Sequence, residues 1–304
     1  MDTILRQRHE NTLSWALKMP EFNRWLASEP GSNDSFIWIR GPGGVGKSVM
    51  AAYFIQHIKA TFPDAIVAYF FCKSGPAGSL TDTRTLIRTL AYQFLKASDA
   101  AHDSLKKLKA AHFQPSGTVD INFMFDRLCQ DTLDCVSQDI YIVLDGLDEA
   151  DMAVRNDRDR YPEVRPLIRC FGGLKRPRML FIGRPELDIS ELVPQPIIKS
   201  ITKQDNGADI HTYVEREWSQ SKTFGKWYPE ELPDPIAYFV HNSHGLFLWV
   251  FTILQQLSTV KTKLQFQGYV ELFTKSFGDM DTLYRGILER FDPVDRVWVR
   301  EILQ

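Results

Sequence analysis

Apolar residues along this chain fall into two textures. From Phe36 to about Ile201 they form short unbroken runs at 36–39, 66–71, 140–144, 179–182 and 197–198. Continuous runs of this length predict strands covered on both faces, as in a parallel sheet. Between them apolar positions recur at helical spacing: Val49, Ala52, Ile55 and Ile58, then Leu86, Leu90 and Phe94, then Leu105 and Leu108. Strand and helix in alternation predict an α/β fold with helices flanking a parallel sheet. After about Asp205 only helical spacing remains. Ile210, Tyr213, Val214 and Trp218 share one face; Leu246, Trp249, Val250, Ile253, Leu254 and Leu257 another; Met280, Leu283, Tyr284, Ile287 and Leu288 a third.

The pattern divides the chain into four parts. Residues 1–30 carry Trp15, Leu17, Phe22, Trp25 and Leu26, enough to pack a short strand and helix onto something larger. Residues 31–205 form the α/β domain and 206–290 a smaller all-helical domain. Residues 291–304 end inside a helical-looking stretch (Val294, Val297, Trp298, Ile302), so a further domain is expected beyond them. The aromatic stripe Phe247, Trp249 and Phe251 is expected in the helical core.

Composition narrows the class. Of 304 residues, 44% are hydrophobic and 24% charged, which excludes a disordered tail. Lys and Arg number 36 against 38 Asp and Glu, a net charge of -2, so there is no basic field for nucleic acid. The longest apolar run, 246–254, is far below the roughly 20 residues of a membrane span. The opening ten residues are too polar for a signal peptide. Cys72, Cys129, Cys135 and Cys170 form no Cys-x-x-Cys pair and read as reduced, buried thiols of a cytoplasmic protein.

The chemistry concentrates at three strand ends. Gly41-Pro42-Gly43-Gly44-Val45-Gly46-Lys47-Ser48 fits G-x-x-x-x-G-K-[ST], between a buried strand and an amphipathic helix that continues through Val49. That context makes it a P-loop. Its glycines let backbone N–H groups wrap phosphates, and the helix start adds a positive end. Lys47 sets a compact charge by the β- and γ-phosphates, and Ser48 offers Mg²⁺ a hydroxyl. The second strand end is Leu144-Asp145-Gly146-Leu147-Asp148-Glu149. Asp145 is placed to hold Mg²⁺ with Ser48, while Asp148 or Glu149 orients or deprotonates an attacking water. The third is Gly183-Arg184-Pro185, where the proline keeps Arg184 extended and the guanidinium can meet a γ-phosphate.

Other strings are weighed and set aside. Thr202-Lys203-Gln204-Asp205 matches a loose guanine-reading pattern, but the Asp-x-x-Gly that accompanies it in GTPases is missing, since Asp148 stands three positions after Asp145. His241-Asn242-Ser243-His244-Gly245 lacks further metal ligands and reads as a helix entry. The mixed-charge run 155–160 reads as a solvated loop.

These residues resemble the NACHT family of signal-transducing P-loop NTPases, and most closely its fungal members, which share this module with nephrocystin-like proteins. The Asp-Gly-Leu-Asp-Glu string from Asp145 to Glu149 carries the resemblance. It is supported by Asn11-Thr12-Leu13-Ser14-Trp15, the run from Phe36 into the P-loop, Tyr69-Phe70-Phe71-Cys72, Arg184-Pro185-Glu186 and His244-Gly245-Leu246-Phe247-Leu248-Trp249-Val250. The resemblance implies a five-stranded parallel sheet with an extra inserted strand, then a helical domain, then a winged helix opening at Asp292. It implies ATP (or GTP) and Mg²⁺ as ligands, ADP at rest, and oligomerisation after exchange. Effector and sensor domains are expected outside these 304 residues. Two departures stand out: Gly183 occupies a place often held by Ser or Thr, and Phe247 follows where related switches often carry a proline. The function expected is a nucleotide-dependent switch reset by slow hydrolysis. The rivals are an oligomeric remodelling ATPase, with Arg285 or Arg290 as possible nucleotide sensors, and a scaffold that never hydrolyses its nucleotide.

Overall fold

A computed structural model describes residues 1–72, 83–106, 121–149, 164–229, 234–276 and 279–288. The charged run 155–160, Leu108, Arg290 and the expected winged-helix start at 291–304 lie outside the described residues. The chain splits into two compact units. The first comprises Met1–Arg8, Leu13–Pro42 and Lys47–Ser200; the second comprises His9–Thr12, Gly43–Gly46 and Ile201–Gln304.

The first unit is built on five parallel strands, β1 (Phe36–Arg40), β2 (Ile66–Phe71), β3 (Ile140–Asp145), β4 (Arg178–Gly183) and β5 (Ile197–Ser200). Their order across the sheet is β2-β3-β4-β1-β5. Every run expected to be a strand is one, and the α/β P-loop fold expected from the sequence is the fold observed. β4 is the inserted strand: it pairs with β1 from Phe36↔Met179 to Arg40↔Gly183, and with β3 from Tyr141↔Arg178 to Asp145↔Ile182.

Helices cover both faces, which is why β3 and β4 are buried at every position. On one face Trp38, Ile142, Leu144 and Phe181 pack with Leu86, Leu90 and Phe94 of the helix Thr83–Ala97 and with Leu167, Ile168 and Phe171 of the helix Val164–Gly173. On the other, the helix Pro20–Leu26 stacks Phe22 on Phe54 of the helix Lys47–Thr61 and sets Trp25 edge-on to Tyr141. Residues 1–30 therefore pack on the first unit, but as helical turns with no strand. Pro20 at the first helical position, followed by Glu21, starts a helix there. Arg178 fastens this segment. Its Nε donates to the Ser28 carbonyl at 2.7 Å, and its guanidinium pairs with Asp139 at 3.1 Å.

The long stretch of the second unit is helical. Ile210, Tyr213, Val214, Phe239, Trp249, Val250, Ile253, Leu254, Leu257, Phe266 and Leu283 form its core. Two expectations fail here. Phe251 is exposed, because positions 247, 249 and 251 are too far apart around a 100° helical step to share a face. Tyr284 is exposed as well, beside buried Leu283 and Ile287. The four cysteines are free, yet only Cys72 and Cys129 are buried. Cys170 is half-buried and Cys135 exposed at the end of a short helix. Among the described residues no helix is long and apolar enough to cross a membrane.

Candidate functional site

The site is built at the carboxyl edge of β1, β3 and β4. β1 ends at Arg40 and the helix Lys47–Thr61 opens at the P-loop lysine. Gly44 and Gly46 sit at φ +84° and +93°, a region that side chains avoid. A Cβ placed on Gly46 would meet nothing within 4 Å, so the loop has open space on that side.

Lys47 turns back onto its own loop. Its ammonium donates to the carbonyls of Gly41 and Pro42, each at 2.8 Å. Burial lowers its pKa; the charges of Asp148, Asp145 and Glu149 oppose that and Arg184 adds to it. The lysine thus lies within the field of all three acids and of the arginine singled out from the sequence.

Asp145 ends β3 with only 3% of its surface exposed. The Ser48 side chain stands close enough to favour the charged form of its carboxylate. Burial pushes its pKa up to about 7, helped by Asp148 and Glu149; Ser48 and the Lys47 charge pull the other way. A buried carboxylate with this cost of ionisation, beside a hydroxyl, is an oxygen donor pair that a hard divalent cation would stabilise. Ser48 and Asp145 therefore fit Mg²⁺ by the chemistry of their donors. Among the described residues no cluster of His, Cys, Asp and Glu forms a separate metal site, and His241 and His244 belong to none.

Asp148 is 5% exposed and is held by Arg184. Asp148 Oδ1 accepts the Arg184 backbone N–H at 3.1 Å, and Oδ2 lies 3.4 Å from Arg184 Nε. Gly183 makes this possible: a Cβ there would lie 2.8 Å from Asp148 Oδ1. The absence of a side chain at Gly183 leaves room for the acid. Glu149 closes the short turn Leu147–Glu149, its N–H donating to the Gly146 carbonyl at 2.8 Å.

Two further bonds tie the motifs to β4. The Gly41 N–H donates to the Gly183 carbonyl at 3.2 Å and the Gly146 N–H to the Ile182 carbonyl at 2.9 Å. Gly41, Pro42, Lys47, Ser48, Val49, Asp145, Asp148, Glu149 and Arg184 are thus brought together in the first unit, while Gly43, Gly44, Val45 and Gly46 cluster with the second. Thr202 and Asp205 serve another purpose. The Asp205 carboxylate accepts from the Thr202 N–H at 2.7 Å and its hydroxyl at 2.8 Å, closing the start of the helix Lys203–Gln220 as a capping box. A Thr-x-x-Asp ahead of an amphipathic helix is a capping signal, and it overlapped the loose guanine pattern.

A P-loop after β1, a buried Mg²⁺-type acid at the end of β3 and a five-stranded parallel sheet with β4 inserted between those two strands define a P-loop NTPase. The chain belongs to the nephrocystin 3 N-terminal family, whose model matches residues 11–169, more than half of it. It is similar to the vegetative incompatibility protein HET-E-1 of Podospora anserina, 20% identical over an alignment of 293 positions that covers 92% of this chain. It spans 20% of the length of that relative. Both matches support the resemblance to fungal NACHT-type proteins that the motifs carry. Among solved structures it is similar to a Walker-type ATPase of Pyrococcus abyssi, at 13% identity and a TM-score of 0.40, covering 83% of this chain and 71% of that one.

Proposed function

We propose that this chain is the nucleotide-dependent switch of a NACHT-type signalling protein, taking ATP (or GTP) with Mg²⁺, in the cytoplasm. The observation that carries this reading is the buried Asp145 carboxylate at the end of β3, influenced by both Ser48 and Lys47 of the P-loop motif. The two Mg²⁺-type ligands thus stand at the end of β3 and at the start of the helix Lys47–Thr61. When bound, Mg²⁺ would supply charge neutralisation for the phosphates. The loop N–H groups and Lys47 would hold the phosphates, and Ser48 and Asp145 the cation.

Arg184 is assigned to sensing the third phosphate, released from Asp148 when a stronger anion arrives. The Arg184 backbone N–H stays on Asp148 Oδ1 when the guanidinium leaves Oδ2, so the handling of water is assigned to Asp148 or Glu149. An acid already engaged in this way favours slow hydrolysis, used as a reset. The same observation favours a second reading, a nucleotide-bound scaffold that does not turn over.

Residues 31–205 are assigned to nucleotide binding, 206–290 to a helical domain and 291–304 to the start of a winged helix. Oligomerisation on activation is proposed from the family resemblance alone, and a role in nonself recognition by analogy with the incompatibility named in the Podospora relative's title. The test is binding of Mg·ATP and Mg·ADP to the wild-type chain and to Lys47→Ala, with turnover measured alongside. Tight binding lost in Lys47→Ala supports the switch. Equal binding by both proteins removes the P-loop reading, and turnover well above one per minute favours a remodelling ATPase instead.

A further inference from the structure

Asn206 is a polar side chain with 2% of its surface exposed, in the first turns of the helix Lys203–Gln220. Its amide nitrogen lies 2.9 Å from the Val45 carbonyl and 3.1 Å from the Gly245 carbonyl. Only the NH₂ end of an amide can serve two carbonyls, so both of its hydrogens are engaged. One residue earlier in the loop, the Gly44 carbonyl accepts the Leu248 N–H at 2.9 Å. Leu248 stands in the first turn of the helix Phe247–Thr259, where an N–H has no acceptor inside its own helix. All five residues belong to the second unit.

In a trans peptide the carbonyl and the following N–H point in opposite directions, and the chain holds no cis bond. Fixing the Gly44 carbonyl therefore aims the Val45 N–H, and fixing the Val45 carbonyl aims the Gly46 N–H. Both are turned away from Asn206 and Leu248. In a phosphate-wrapping loop, these are groups that must face the anion. Loop amides free to rotate would have to be ordered when the ligand binds, at a cost in affinity.

We infer that Asn206 is a positioning residue for the phosphate loop: by holding the Val45 carbonyl, together with the Leu248 N–H on Gly44, it presets two amides for the phosphates of a nucleotide. An amide that served only to close the turn at Gly245 would not need its second hydrogen on a loop residue 161 positions away. The inference rests on the nucleotide-binding reading above and is tested apart from it.

The experiment uses the full chain. Calorimetry measures Mg·ADP, a non-hydrolysable Mg·ATP analogue and inorganic pyrophosphate on wild type, Asn206→Asp, Asn206→Leu and Lys47→Ala. Asp keeps the shape of Asn but, ionised, only accepts and repels both carbonyls, and protonated can donate to just one of them; Leu keeps the approximate volume and removes the donors. Amide hydrogen exchange is followed at Val45 and Gly46 without ligand. The expected result is a loss of at least tenfold in affinity for all three ligands by a common factor. Exchange quickens at Val45 and Gly46, while the buried turns of the helix Phe247–Thr259 exchange as in wild type. Folded variants that bind as tightly as wild type, beside a Lys47→Ala that does not, overturn the inference and leave the nucleotide reading standing. Wild type that binds nothing, or no better than Lys47→Ala, overturns both. If neither Asn206 variant folds, the residue is purely structural and the inference fails.

Discussion

Asp148 and Arg184 are joined twice, once through the arginine's backbone N–H at 3.1 Å and once through its Nε at 3.4 Å. The acid is buried and nearly half of the arginine side chain is exposed. Arg184 is thus anchored by its main chain, while its guanidinium has room to change partners.

Arg184→Ala tests that freedom. The ratio of ATP to ADP affinity should fall toward one, while ADP affinity changes less than threefold. Titration with both nucleotides measures this. An unchanged ratio removes Arg184 from phosphate sensing.

Gly183→Ala should act through Asp148. Its Cβ would fall 2.8 Å from Asp148 Oδ1, too close for any carbon. The acid must move off the Arg184 N–H, leaving a buried donor unsatisfied at a cost of about 1–3 kcal/mol. Chemical denaturation should report that loss, and the ATP to ADP ratio should shift in the direction seen for Arg184→Ala. Wild-type stability in Gly183→Ala would show that the space is not needed.

Asp145 sets a pH dependence. Burial raises its folded pKa from 3.8 to about 7, so the folded state holds the proton more tightly than the unfolded state. Stability is fully present below about pH 4 and is lost as pH rises toward 7. Above that the loss is constant, at up to about 4 kcal/mol by 1.36 kcal/mol per unit. Asp145→Asn carries no such charge. Without ligand its Tm should exceed that of wild type by a margin that opens between pH 4 and 7. Mg·ADP should raise the Tm of wild type far more than that of the variant. A margin independent of pH would refute the burial argument.

Asp205→Ala separates a helix cap from a base reader. Loss of the capping box should cost about 1 kcal/mol of stability. The preference between ATP and GTP should stay within twofold of wild type in competition binding. A large shift in that preference would restore the guanine pattern.

The strands were legible because a doubly covered parallel sheet demands unbroken apolar runs, and 140–144 or 179–182 have no other reading. The motif residues were legible because phosphate and Mg²⁺ chemistry restricts residue type and spacing. Asn206 was not. A single asparagine in a helix carries no spacing signal, and its partner at Val45 is 161 positions away. The role of Gly183 was hidden for the same reason, since a missing side chain says nothing until Asp148 is seen beside it. Phe251 was misplaced because alternation of aromatic residues suggests a face only in a strand.

β4 contributes neither a loop glycine nor a catalytic acid of its own, yet it is laddered on both sides and receives the Gly41 and Gly146 N–H groups at its end. It works as a fixed post between the two motif-bearing strands. A strand clamped in this way cannot slide along its axis without breaking both ladders. A displacement that begins at Arg184 therefore has two ways out, through Asp148 into the turn Leu147–Glu149 and along the chain leading from Pro185 to β5.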